Sequence, residues 1–345
     1  MSNKSQQLLD EFSEEIHQFS LSPLWERTTR LVPGTNCVPF VWHFKSMLPL
    51  LIKASDVIEK KQADRRVLVM ENPSLKGTSY ISSTLFAGLQ IIMPGEVAPS
   101  HRHTPNALRF LMTGKGAYTS IGGEKIKMNP GDFIVTKNWE WHDHGNEGTE
   151  PVIWMDGLDT PLTALFGGHF RENYTEDIYP LNQPNSINES KFGMNLLPVN
   201  YTQKSGENQE SLLIYSYVNA KGALLNISKN QANLCNPIFG YKLMYSNPLN
   251  GFSPFKTMSV FIQLLPENFD GKKYRTTENT IINVAEGECY IETEKGEFHL
   301  RQHDIMVIPS WTSFRFFSNN ECIIFSFSDK TAQDSLGFWR EEYLS

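Results

Sequence analysis

The second half of this chain repeats the first, and that constrains its fold more than any other feature. Residues 271–277 align with 98–104, and 285–288 align with 112–115. His303-Asp304, followed four residues later by Pro309, follows the plan of Gly131-Asp132. Inside each half, short apolar runs alternate with turn residues. In the first they fall at 86–93, 107–112, 117–121, 133–136 and 152–155, with turns at 113–116, Gly122-Gly123 and 129–132. In the second they fall at 212–215, 259–265, 280–285 and 323–327. Runs this short, separated by Gly, Pro, Asn and Asp, predict strands of an all-β barrel. Two copies predict two stacked barrels. Ahead of them, Leu8, Leu9, Phe12, Ile16 and Phe19 have helical spacing, and 42–58 reads as a second helical region interrupted at Pro49. The expected layout is an N-terminal helical segment (1–66), a first barrel (67–170), a polar linker or surface excursion (171–211) and a second barrel (212–345).

Only nine histidines are present, and four lie between positions 101 and 144. His101 and His103 are two residues apart, which on a strand places both on one face. His142 follows after a glycine-rich run of short strands. Three neutral imidazoles converging inside a small barrel suit a divalent transition metal. In the repeat the corresponding positions hold Tyr274, Thr276 and Phe314, so the turns survive without the ligands. The metal is therefore expected in the first barrel only. His303 stands in a turn and is expected to be solvated. Arg109 lies in an otherwise apolar strand, and an arginine inside a barrel needs an anion. Gln90 and Asp156 fall on inward strand positions, and His144 shares the face of His142. Trp139 and Trp141 read as packing residues.

Composition narrows the partners. Lys and Arg total 31 against 38 Asp and Glu, a net charge of −7, which argues against nucleic acid or an anionic membrane surface. No apolar run approaches the roughly 18 residues of a membrane span. The first residues have no signal-peptide character. Cys37, Cys235, Cys289 and Cys322 are scattered, as expected of free thiols in a reducing cytoplasm.

The histidine region resembles the two cupin motifs. Gly95, His101, His103 and Gly114 fit the first, with Ala107 where the motif has Glu. Gly131, Asp132, His142 and Asn146 fit the second, with Lys137 in place of Pro. Metal-dependent isomerases and decarboxylases of this fold normally keep that Glu, so Ala107 argues against them. The strings 99–104, 107–110, 139–146 and 154–159, with 245–248 in the second half, resemble gentisate 1,2-dioxygenase, a bicupin ring-cleaving family. The resemblance implies two double-stranded β-helix (jelly-roll) barrels and one Fe(II) per chain, held by His101, His103 and His142. It implies insertion of O2 into gentisate (2,5-dihydroxybenzoate) and ring cleavage to maleylpyruvate. It makes Arg65 a second carboxylate-binding position beside Arg109, whose buried charge a substrate carboxylate would match. The inward positions of Gln90 and Asp156 suit them to hydrogen-bond the substrate hydroxyls, and His144 is expected either to act as an acid–base residue behind the ligands or to hold bound oxygen. Phe86 becomes a pocket wall where the family has Trp. It also implies a homo-oligomer, a tetramer by family habit. Close relatives cleave salicylate or 1-hydroxy-2-naphthoate, so the ring substituents stay open. A non-catalytic ligand-binding bicupin is the alternative from another class.

Overall fold

The computed structural model describes residues 3–27, 30–58, 65–193, 199 and 210–344. Residues 1–34 and 35–345 are separate compact units. In the first, helix α1 (Asn3–Gln18) forms where the apolar residues have helical spacing, and a short 3-10 turn follows at Leu24–Glu26. The second opens with β1 (Phe40–Trp42) and helix α2 (Phe44–Val57).

The first barrel is built from β2 (Arg66–Val69), β3 (Phe86–Ile92), β4 (Val97–His103), β5 (Ala107–Thr113), β6 (Ala117–Ile121) and β7 (Glu124–Lys127). It continues with β8 (Phe133–Thr136), β9 (His142–Asn146), β10 (Val152–Leu158), β11 (Arg171–Asn173) and β12 (Ile214–Tyr215). Its two sheets run β12-β8-β5-β10-β3-β2 and β11-β4-β9-β6-β7. The second barrel uses β13 (Tyr241–Met244), β14 (Ser259–Leu265), β15 (Phe269–Asp270), β16 (Tyr274–Thr276), β17 (Thr280–Glu286) and β18 (Glu288–Thr293). It is completed by β19 (Gly296–Arg301), β20 (Ile305–Ile308), β21 (Phe314–Ser318), β22 (Cys322–Ser328) and β23 (Glu341–Tyr343). One sheet runs β1-β20-β17-β22-β14-β13, so β1 joins the second barrel, while β12 joins the first.

Alternation along the strands sorts the core. Leu108, Phe110, Ile153 and Met155 leave the first barrel to pack against Val260, Ile262, Phe325 and Phe327 of the second. Phe110 and Phe325 stack at 4.1 Å across that contact. The opposite face of the same strands points into the first barrel, where Leu111, Ile134 and Trp154 fill its closed end. The polar residues Arg109, Thr136 and Asp156 continue that inward face.

The repeat is legible in three dimensions. Tyr274 pairs with Phe314 as His101 pairs with His142. Asn106 donates its backbone and side-chain N–H groups to Asp159, each at 2.8 Å, and the Thr257 hydroxyl, from the second half, donates to the same carboxylate. Asn279 binds Asp329 in the same way, at 2.8 and 3.0 Å, and the Thr84 hydroxyl, from the first half, donates to it. Each barrel thus lends a threonine to a buried aspartate of the other.

Two expectations need correction. Helix α2 runs on through Pro49, which removes only one intrahelical bond while Phe44, Leu51 and Ala54 anchor the buried face. His303 adopts a left-handed φ of 70°, which turns its ring edge-on to Phe44 at 5.2 Å, half-buried rather than solvated. The polar stretch from 171 holds β11, paired with β4, and a short helix at Ile187–Phe192. Residues 194–198 and 200–209 of that stretch lie outside the described residues.

Candidate metal centre

β4 and β9 are neighbours, and their register sets His101 beside His142. The ring centroids of His101 and His142 are 4.3 Å apart, those of His103 and His142 4.8 Å, and those of His101 and His103 5.5 Å. One nitrogen from each ring lies within 4.8 Å of the others, and all three side chains are buried. No other such group of His, Cys, Asp or Glu occurs among the described residues.

Hydrogen bonds fix which nitrogen each ring presents. Nδ1 of His101 lies 2.9 Å from the Pro99 carbonyl, Nδ1 of His103 lies 2.8 Å from that of Pro105, and Nδ1 of His142 lies 2.8 Å from that of Glu140. A carbonyl only accepts, so Nδ1 carries the proton and Nε2 is left with its lone pair. This is the outer-shell arrangement that orients metal-binding imidazoles. Nε2 of His142 is buried and meets no hydrogen-bond partner, which a metal would supply. Burial, helped by the Arg65 charge, pushes His101 down to about 2 and His103 to about 3. Burial also drives His142 well below the ordinary imidazole range. All three rings are neutral near pH 7, as ligation requires. The residues present fit a divalent transition metal.

His144 stands behind the triad, its ring 5.4 Å from that of His142 and 5.7 Å from Trp154. The Thr119 hydroxyl lies 2.9 Å from His144 Nδ1 and donates to the Asp143 carbonyl, so it accepts from Nδ1–H. That leaves Nε2 of His144 unprotonated, buried and without a partner.

A cavity of about 480 Å³ opens at His103, with Arg65, Phe86, Arg109 and Asp156 among its other walls. Arg109 and Asp156 face each other across the β5–β10 pair, 2% and 7% exposed. Arg109 Nε is 3.3 Å from Asp156 Oδ1, and its Nη1 donates to Thr136 Oγ1 at 2.6 Å. The Trp154 indole N–H also donates to Asp156, at 3.1 Å. Burial raises Asp156 and lowers Arg109, and each charge opposes the shift of the other. The anion required by the buried arginine is thus part of the chain itself. Arg65 Nη1 lies 2.8 Å from His101 Nε2, so Arg65 and a metal compete for one lone pair. Gln90 is buried with Nε2 unpartnered but is not among the cavity walls. Gln263, its counterpart in the second barrel, has the same orphaned amide. That orphan is therefore a property of both barrels rather than a mark of the metal site. His169 and Arg171 also line the cavity and were not singled out from sequence. Only the pairing of β11 with β4 brings Arg171 opposite His103.

Two stacked barrels with one three-histidine centre define a metal-dependent bicupin. The cupin domain family matches residues 88–158. Gentisate 1,2 dioxygenase 1 of Aquipseudomonas alcaligenes is 43% identical over 334 residues, covering 96% of this chain and 95% of that protein. The 1-hydroxy-2-naphthoate 1,2-dioxygenase of Nocardioides sp. (strain KP7) is 32% identical, over 90% of this chain and 80% of that one. Among solved structures, salicylate 1,2-dioxygenase from Pseudoaminobacter salicylatoxidans, as its adduct with gentisate, superposes with a TM-score of 0.90. It is 27% identical and covers 99% of this chain and 94% of that one. The chain belongs to the gentisate 1,2-dioxygenase family and is an enzyme of the ring-cleaving dioxygenase type.

Proposed function

We propose that this chain oxidises gentisate with O2 to maleylpyruvate, using one Fe(II) held by His101, His103 and His142. The carrying observation is the set of three Nδ1–H groups tied to backbone carbonyls, which leaves three neutral donors and no acid at the metal. When bound, the iron supplies open coordination positions where an ortho-hydroxycarboxylate and O2 can meet. With neutral ligands the centre keeps its full positive charge, which favours a chelating dianion.

The chain's own residues then orient the ring. Arg65, on the cavity wall with Nη1 2.8 Å from His101 Nε2, would meet the substrate carboxylate. Arg109, neutralised by Asp156, lends N–H donors more than net charge. Asp156 receives a ring hydroxyl, and Phe86 forms an apolar wall. His144, its ring 5.4 Å from that of His142 and its Nε2 free of a proton, is the acid–base residue of this reading, placed behind the ligands. These residues belong to the first barrel and the segment just before it, and the second barrel acts by packing. A cytoplasmic homotetramer completes the reading, supported by the family resemblance and tested by native mass spectrometry.

The test is oxygen uptake and product absorbance with gentisate, salicylate and 1-hydroxy-2-naphthoate. Gentisate, whose 5-hydroxyl enriches the ring in electrons, should give the largest kcat/KM. A larger value for either of the others would remove the gentisate assignment and leave a related dioxygenase. Phe86, the departure from the family's Trp, favours that second reading and would be exchanged first.

A further inference from the structure

The second barrel serves as an internal control, because it kept the scaffold and lost the ligands. Trp139 and Trp311 are equivalent, with left-handed φ values of 65° and 60°. The amide of Trp139 donates to the His103 carbonyl at 2.8 Å, and that of Trp311 to the Thr276 carbonyl at 2.6 Å. Arg102 lies 4.4 Å over Trp139 and pairs with Glu172, while Arg275 lies 4.8 Å over Trp311 and pairs with Glu342. A clasp that persists without ligands belongs to barrel construction.

The outer layer beyond that clasp differs. After β11, residues 174–179 return across the outside of β4 and β9. Ser100 N–H donates to the Asp177 carbonyl at 2.8 Å, and Tyr174 N–H to the Ser100 carbonyl at 2.9 Å. Tyr179 N–H donates to Asp143 Oδ2 at 3.1 Å. Trp141 stacks on Tyr179 at 5.9 Å and meets Tyr174 edge-on at 5.0 Å. Ser100, Trp141 and Asp143 are the sequence neighbours of His101 and His142, and strand alternation turns them to the outer face. In the second barrel Ser313 stands at the place of Trp141. Arg315 stands at the place of Asp143 and is paired with Glu292 and Asp270.

We propose that residues 174–179 form a strap that holds the two ligand strands from outside. Trp141, Asp143, Tyr174 and Tyr179 act as positioning residues that slow metal release from His101 and His142. This rests on the reading of the three histidines as a metal site. The strap restrains backbone fluctuation on either side of the ligands, so its loss should raise the rate at which an imidazole lets go.

The test needs no substrate. Protein loaded anaerobically with Fe(II) is mixed with a chelator and release is followed by absorbance. Trp141→Ser, which installs the second barrel's residue type, and Tyr179→Ala should each release metal about 10-fold faster or more. Trp141→Phe, which keeps an aromatic stack, should release at nearly the parent rate. Trp311→Ser, the clasp residue of the second barrel, should lower Tm without changing release. Parent-like release from Tyr179→Ala overturns the strap, and that variant carries the test alone if Trp141→Ser does not fold. Equal acceleration by Trp311→Ser also overturns it, because general loosening would then suffice. Failure of the parent to take up metal would instead remove the three-histidine reading, and the strap with it.

Discussion

Arg109 and Asp156 illustrate how a buried pair ties stability to chemistry. Replacing Arg109 by Leu leaves a carboxylate buried without its cation, which should cost about 3–5 kcal/mol. It should also raise KM and lower kcat together, since the guanidinium helps orient the ring. Arg109→Leu combined with Asp156→Leu should recover most of the lost Tm but not kcat/KM, and recovery of both would reduce the pair to packing. The histidines make a second prediction. Their folded pKa values lie below the unfolded value of about 6.5, so between that value and about 3 the unfolded chain binds protons that the folded chain does not. Stability should therefore fall as pH drops below about 6.5, each buried imidazole adding roughly 1.4 kcal/mol per pH unit. Melting of metal-free protein from pH 7 to pH 5 checks this, and a flat Tm would contradict it. The neutral triad also means that metal should be lost through acid unfolding rather than by protonation in place at the ordinary imidazole pKa. His103→Ala should remove most metal at any pH, as metal analysis would show.

At the scale of elements, the reciprocal threonines make a symmetrical prediction. Thr84→Val and Thr257→Val each withdraw one donor from a buried carboxylate, at a cost of about 1–3 kcal/mol apiece. Urea denaturation should show the same sign and similar size for both, and a neutral result in either would break the symmetry. Elements of this kind were only partly readable from sequence. Strands such as β6, β8 and β14 fall where apolar runs end at turn residues, because local pattern and tertiary burial agree there. The triad was readable because two-residue spacing on a strand is a geometric statement. The ligand-free repeat was readable because Tyr274 and Phe314 keep the register of His101 and His142. The threonine clamps were not, since each joins residues over 90 positions apart in sequence. Arg171 was hidden for a related reason: β11 is three exposed polar residues, and only pairing with β4 makes it a strand. Pro49 misled because its local effect is outweighed by the packing of α2.

For the whole molecule, the two barrels share one core, and the proposed function gives the chemistry to the first and support to the second. Phe325→Ala removes a ring stacked on Phe110 behind the active barrel and should cost about 3–5 kcal/mol. Metal stoichiometry tests the division of labour, with one equivalent per chain expected. The measurement that bears most directly on the central claim is single-turnover oxidation of gentisate by Fe(II)-loaded protein under isotopically labelled dioxygen, with the product analysed by mass spectrometry. The account predicts a ring-opened product carrying both labelled oxygen atoms, formed once per bound iron and absent from His103→Ala. An unopened ring, or equal product from His103→Ala, would contradict it.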